Sequence, residues 1–305
     1  KVLAVRVAAK CGADVIDIVD GMRWAAGLDV CRRSDANGNC VEFLPRNPNP
    51  ARVINISFGG SGSCDAYQGT INELRALPGG GAIVVAAAGN EHAAPTRPAK
   101  CPGVVGVAAL NRDGFKTTYS NFGSMLTVAT AGGDDNDGAW GSRVADSGIL
   151  SVGNTGSTTP VSSGYFNYFG TSFSTPIVAG AVGLMLALNP ALSAAQIEQG
   201  LRVSARAHVT STLPGVAACS SANPGRCLCT TSTCGAGILD VPQALAFAAT
   251  PDSYAPPATQ PATINSAELR EAAAGGPDRP TATEPPAGGG GVAGGGGGPS
   301  SDSDS

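Results

Sequence analysis

The chain has 305 residues, 42% of them hydrophobic and 14% charged, with a formal net charge of −4. That apolar content supports a buried core in one large domain or two small ones and excludes disorder throughout. The acidic balance excludes a basic face for nucleic acid, and the longest apolar or glycine run, residues 177–188, falls short of the roughly 20 residues a membrane-spanning helix needs.

Residues 2–7, VLAVRV, are β-branched and apolar, which predicts a buried strand. In DVIDIVDGMRWAAG the apolar residues Val15, Ile18, Val19, Met22, Ala25 and Ala26 recur at helical spacing, which predicts a helix with Asp14 as N-cap and Gly27 as stop. RVINIS (52–57) predicts a strand, AYQGTINELRAL (66–77) a helix, and AIVVAA (82–87) and VVGVAAL (104–110) two more strands. Nearly all-apolar strands alternating with helices predict an α/β fold, with a mostly parallel central sheet covered on both faces.

A further helix opens near Thr171. Pro176 is expected to be tolerated near its start, and a helix apolar or small all round is expected to be buried. The next helix carries the capping box Ser193 to Gln196. After residue 250 the composition turns to PPATQPAT and then GGGGVAGGGGGPSSDSDS. Residues 1–250 are therefore expected to form the folded part, and 251–305 a flexible Pro/Gly/Ser-rich tail or linker.

Nine cysteines in local clusters point to an oxidising, secreted setting. The spacing of Cys227, Cys229 and Cys234 also suits zinc, but only His208 stands nearby as a histidine partner, so disulfides are favoured. The odd count leaves one cysteine without a partner in the chain.

Three segments carry the chemistry. NISFGG (55–60) and AAAGNE (86–91) each end a predicted parallel strand, and GTSFSTPIVAG (170–180) opens a helix. Ligands of open parallel sheets bind beyond the carboxyl ends of the strands, so these segments can converge. Taken singly, they are an ordinary strand with a glycine loop, a strand ending in a turn, and a helix cap. Together and in this order they resemble the subtilisin-like serine peptidases, the subtilases, a resemblance that runs on through KVLAVRV, DGMRWAAG, SNFG, LALNPALS and CGAGILDVPQAL.

The resemblance implies a three-layer subtilisin-like fold and a serine endopeptidase working through an acyl-enzyme. It places the nucleophile at Ser172 and the oxyanion-hole amide at Asn90, with the Ser172 backbone N–H as second donor. Ser57, Phe58 and Gly59, with Ala87, Ala88 and Gly89 opposite, would hold an extended peptide, and Glu91 would help shape the cleft. Such an enzyme requires no cofactor. Calcium is common in the family, and DANGN (35–39) offers oxygen ligands, but it matches a calcium loop only in part and is expected to be an acidic turn.

The triad of the family is Asp, His and Ser in chain order; no H-G-T-H segment is present, and the D-S-G at 146–148 follows NISFGG and AAAGNE where the family order requires it before them. The resemblance therefore implies that the fold is incomplete at the N-terminus, that the Asp and His lie upstream of Lys1, and that the chain alone is inactive. Neither histidine replaces them: His92 is expected in a surface loop and His208 in an exposed or capping role. The resemblance also pairs Cys11 with an upstream cysteine, Cys64 with Cys101 and Cys31 with Cys40, leaving the pairing of the last four open.

The partner implied is a protein or peptide substrate, met by a secreted monomer whose tail leads either to a cell-surface anchor or further domain, or nowhere. The rival reading is a non-catalytic relative that binds peptides along the same strands. A nucleotide-binding protein is disfavoured because no GxGxxG stands between a strand and a helix.

Overall fold

The computed structural model describes residues 1–280 except Cys11, Asn136 and Thr259. The pairing expected of Cys11 and residues 281–305 of the expected tail lie outside the described residues. In chain order the elements are α1 (Val15–Ala25), β1 (Cys31–Ser34), β2 (Cys40–Phe43), β3 (Val53–Ile56), α2 (Asp65–Arg75), β4 (Ile83–Ala87), β5 (Val104–Leu110) and β6 (Val128–Ala131). There follow β7 (Ile149–Asn154), β8 (Ser163–Tyr168), α3 (Thr171–Leu188), α4 (Ala194–Val203), α5 (Val241–Ala249) and α6 (Ala267–Ala273).

Strands β3, β4, β5 and β6 form a parallel sheet in that order. Along β4 the side chains alternate between two cores, as a strand buried on both faces requires. Ile83 and Val85 join α3, α4 and α5 on one face, while Val84 and Ala86 join α1 and α2 on the other. The α/β expectation of three layers holds. Asp14 caps α1 by accepting from the Ile16 N–H, and the Ser193/Gln196 capping box closes on α4.

Among the described residues four disulfides join Cys31 to Cys40, Cys64 to Cys101, Cys219 to Cys227 and Cys229 to Cys234. The first two are the pairings expected. The sulfurs of Cys219, Cys229 and Cys234 lie within 4.8 Å of one another, but each is in a disulfide, so the zinc alternative has no thiolate to offer.

Three expectations are corrected. Residues 2–7 form no ladder among the described residues and none of them is buried: Val5 and Val7 pack part-buried on the α1 and α2 core, while Val2 and Leu3 are 98% and 46% exposed, so the apolar pattern has no neighbouring strand to cover it here. Helix α3 is not covered all round. Its inner face packs on the sheet and α5, while Ile177, Leu184 and Leu188 are 37%, 52% and 53% exposed, in line with the exposed Gly180 and Gly183. This bare apolar stripe is what a helix without a polar face leaves wherever no neighbour covers it.

The third correction concerns the tail. Folded structure continues through residue 280, because α6 is capped by Ser266, buries Leu269, Ala272 and Ala273, and is followed by a fully buried Asp278. The Asp278 carboxylate accepts from the backbone N–H of Trp140 at 2.8 Å and of Arg226 at 3.1 Å, and from the Arg226 guanidinium at 3.2 Å. Arg226 Nε donates to Asp134 at 2.6 Å, and all three charged side chains are 0% exposed. Arg226 also donates to the carbonyls of Asp135 and Asp137. A charge out of water persists only when paired and hydrogen-bonded, and here the C-terminal segment supplies half of the pairing.

Lys116 is the other buried charge. Its Nζ donates to the carbonyls of Thr117, Ser120 and Thr118 at 2.6, 3.0 and 3.3 Å. Burial pushes its amine from 10.5 down to about 7, against the pull of Asp134. Between those values the unfolded chain binds a proton that the folded chain does not, so stability climbs as pH rises through that window. The thermal midpoint of the wild-type chain is expected to rise from pH 7 toward pH 10 relative to that of Lys116→Met, as followed by circular dichroism. Parallel curves for the two proteins would contradict it.

Candidate active site

Because β3 and β4 are neighbours running parallel, their carboxyl ends open at the same edge of the sheet, and the N-terminus of α3 meets them there. Ser172 Oγ donates to the Ser57 carbonyl just beyond β3 at 2.7 Å. Thr171 N and Thr171 Oγ1 both donate to Asn90 Oδ1 at 2.9 Å. The Gly89 N–H in turn donates to Thr171 Oγ1 at 3.2 Å. Segments 115 and 82 residues from the serine and threonine they contact are thus locked together by side chains of the first two residues of α3.

The lock has a chemical consequence. With Oδ1 held twice by Thr171, the Asn90 amide is fixed in one orientation and Nδ2 is left over. Among the described residues neither Nδ2 nor the Ser172 N–H has an intramolecular acceptor. Two N–H donors beside a serine hydroxyl, at the start of an 18-residue helix with no acidic residue in its first turn, form a place where negative charge is favoured. Gly170 enters the helix at φ 138°, a conformation that L side chains rarely adopt.

Ser57, Phe58 and Gly59 lead out of β3 along the rim. Among the described residues no hydrogen bond within the protein engages the backbone of Phe58 or Gly59, and the approach of Thr96 and Arg97 leaves no room for a side chain at position 59. The opposite stretch differs from expectation. Ala87 pairs with Val107 inside the sheet. Ala88 gives its N–H to Val107 and its carbonyl to Thr96, and the Gly89 carbonyl accepts from Asn121 N. Together with the Gly89 bond to Thr171 these spend the backbone groups that would pair with a peptide, so residues 87–89 wall the site without offering a ladder. Glu91 is likewise committed: its Oε2 accepts from Asn90 N at 2.9 Å and Asn121 Nδ2 at 2.6 Å.

Neither histidine reaches the serine by a hydrogen bond among the described residues. His92 sits half-buried in the loop after β4 at φ 44°, its backbone N–H on the Tyr119 carbonyl, and burial lowers its imidazole pKa. His208 is buried rather than exposed or capping, with Nε2 on the Gly235 carbonyl at 3.1 Å. Asp35 accepts from Asn37 N, Asn39 N and Asn39 Nδ2, so its carboxylate closes the acidic turn between β1 and β2. Thr171 and Asn121 escaped the sequence reading, although GTS and SNFG marked both places; no residue type announces that a side chain will hold a neighbour's amide.

Comparison with known proteins gives the family. The subtilase family (Peptidase_S8) matches residues 1–231. The extracellular protease of Xanthomonas campestris pv. campestris is 38% identical over 251 residues, which are 81% of this chain and 36% of that protein. The extracellular basic protease of Dichelobacter nodosus is 35% identical over 189 residues, 61% of this chain and 27% of that protein. A solved structure described as proteases from Pseudoalteromonas arctica PAMC 21717 superposes with a TM-score of 0.62 at 37% identity, covering 80% of this chain and 61% of that one. The chain thus spans about a third of the length of the Xanthomonas relative it matches. With the family matched over three quarters of the chain and its serine, asparagine and strand segments brought to one edge of the sheet, this chain belongs to the subtilase family.

Proposed function

We propose that this chain is the nucleophile-bearing part of a secreted serine endopeptidase. The observation that carries the reading is the lock of Thr171 on Asn90 beside Ser172, which leaves the Asn90 Nδ2 and Ser172 N–H donors without an acceptor among the described residues. An extended peptide lies along Phe58 and Gly59 by strand addition. Ser172 Oγ attacks the scissile carbonyl carbon as a base takes its proton, and Asn90 Nδ2 and Ser172 N hold the oxygen that becomes negative. Collapse breaks the C–N bond, the amine leaves with that proton, and water then releases the acyl group and restores the hydroxyl.

The base and its orienting carboxylate come from polypeptide outside these 305 residues. Supporting this are the absence of a histidine bonded to Ser172 among the described residues, the bare apolar stripe along α3 and the unpaired outer edge of β3. The chain alone is accordingly inactive. The disulfides and the names of the two extracellular relatives support secretion. A serine-directed phosphonate tests the reading on the polypeptide produced with its upstream segment: labelling at Ser172 together with loss of casein cleavage is expected. Peptide binding without cleavage or labelling would make it a binding groove on a peptidase scaffold.

A further inference from the structure

The two donors of the site come from segments that meet nowhere else in sequence, Asn90 after β4 and Ser172 in α3, yet both must face one oxygen. Residues 116–121, between β5 and β6, touch both. Tyr119 is buried, and its hydroxyl accepts from the Gly170 N–H at 2.9 Å while lying 2.8 and 2.5 Å from the carbonyls of Gly132 and Gly133. Gly170 immediately precedes the Thr171–Ser172 turn and shares its N–H between this hydroxyl and the Gly132 carbonyl at 3.0 Å, to which the hydroxyl is itself bonded, so the pair fixes where α3 begins.

Two residues on, Asn121 does the same for the other donor. Its Oδ1 accepts from Glu91 N at 3.0 Å and Ala93 N at 2.9 Å, and its Nδ2 donates to the Ala88 carbonyl at 3.1 Å and to Glu91 Oε2 at 2.6 Å. The same Glu91 oxygen accepts from Asn90 N. Gly89 must be glycine here: it has φ 107°, and a side chain would strike Asn121 and Glu91. The connecting backbone is itself held from within by the three carbonyl contacts of Lys116 Nζ.

We infer that Tyr119 and Asn121 are positioning residues which set the two oxyanion donors in one frame, so that their spacing depends on a single buried loop. This rests on the serine-peptidase reading and goes beyond it, since neither side chain touches the reacting atoms. Misplacement of a reacting group by about 1 Å can cost on the order of 100-fold in rate, and loss of a positioning contact acts through that term.

The test uses the polypeptide complete with its upstream segment. Tyr119→Phe removes one oxygen and keeps the ring. Its kcat is expected to fall roughly 10- to 100-fold with KM within about twofold, measured at a temperature where circular dichroism shows both proteins folded. Asn121→Asp sets a carboxylate against Glu91 and should lower kcat likewise, while adding Glu91→Gln returns a donor to the pair and recovers part of the loss. The Asn121→Asp effect should also shrink in an Asn90→Leu background, where the donor it serves is gone, whereas that of Tyr119→Phe should persist.

Wild-type protein that neither cleaves casein nor labels at Ser172 overturns the peptidase reading. Active wild type with Tyr119→Phe and folded Asn121→Asp both within twofold in kcat overturns this inference alone. Equal losses in KM and kcat, or no rescue by Glu91→Gln, would assign the loop to general stability and overturn it as well. Failure of either variant to fold leaves the other variant to decide.

Discussion

Ser172→Ala, in the polypeptide that includes the upstream segment, should lower kcat by about 10⁶-fold while KM changes little, the loss known for the equivalent removal in a subtilisin, a member of this family. The size follows from what the hydroxyl does. Without it no acyl-enzyme forms, and the two donors retain only the residual rate that charge stabilisation and binding give to attack by water. Stability should hardly move, because Ser172 is only half-buried and its hydroxyl makes one bond, to the Ser57 carbonyl. A kcat within tenfold of wild type on casein, at equal thermal midpoint, would take the nucleophile away from Ser172.

The largest effect on stability is expected at Arg226. Replacing it by Met leaves Asp134 and Asp278 facing each other in a site from which water is excluded, where both are 0% exposed. Removing one partner of a buried ion pair typically costs about 3–5 kcal/mol, which at this chain length corresponds to a fall in thermal midpoint of roughly 10 °C. Deleting residues 251–305 should act in the same direction, because it removes Asp278 and the buried face of α6 and leaves the Trp140 N–H without its acceptor. Differential scanning calorimetry on the two variants decides the matter; midpoints within 1 °C of wild type would mean that the C-terminal segment only rests on the domain. Stability at high salt should not rescue Arg226→Met, since a fully buried pair is little screened.

How legible was this in the sequence? The central sheet was, because β-branched runs such as IVVAA leave little choice but a strand covered on both faces. The candidate site was legible as three motifs, and the structure brings Ser57, Asn90 and Ser172 together as their placement at strand ends required. What was not legible falls into two kinds. Helix α6 carries a sound start signal, Ser266 three residues before Leu269, but the Pro- and Gly-rich composition around it outweighs seven ordinary helical residues. The β7–β8 hairpin failed for a different reason: it leaves Leu150, Val152 and Tyr165 largely exposed, so its pattern is not that of a half-buried sheet.

The remaining misses concern polar residues whose meaning is set by a partner far away. Arg226 reads as a surface residue until Asp134, 92 positions earlier, is placed on its Nε. Ala88 and Gly89 read as a free edge until Val107, Thr96, Asn121 and Thr171 claim their backbone groups. Local composition carries no record of such pairings, which depend on packing of the whole chain.

The position of Asp278 has a bearing on how the molecule is made. A polypeptide emerges from the ribosome N-terminus first, so Ser57, Asn90 and Ser172 have all been synthesised before the second of the two carboxylates bonded to Arg226. That guanidinium is bonded to Asp134, which accepts from Thr118 in the very loop that steadies both donors. Until the segment carrying Asp278 arrives, the nascent chain lacks one of the two carboxylates bonded to that guanidinium. Full hydrogen bonding beneath the edge where Ser57, Asn90 and Ser172 meet is thereby deferred until residue 278 has been made.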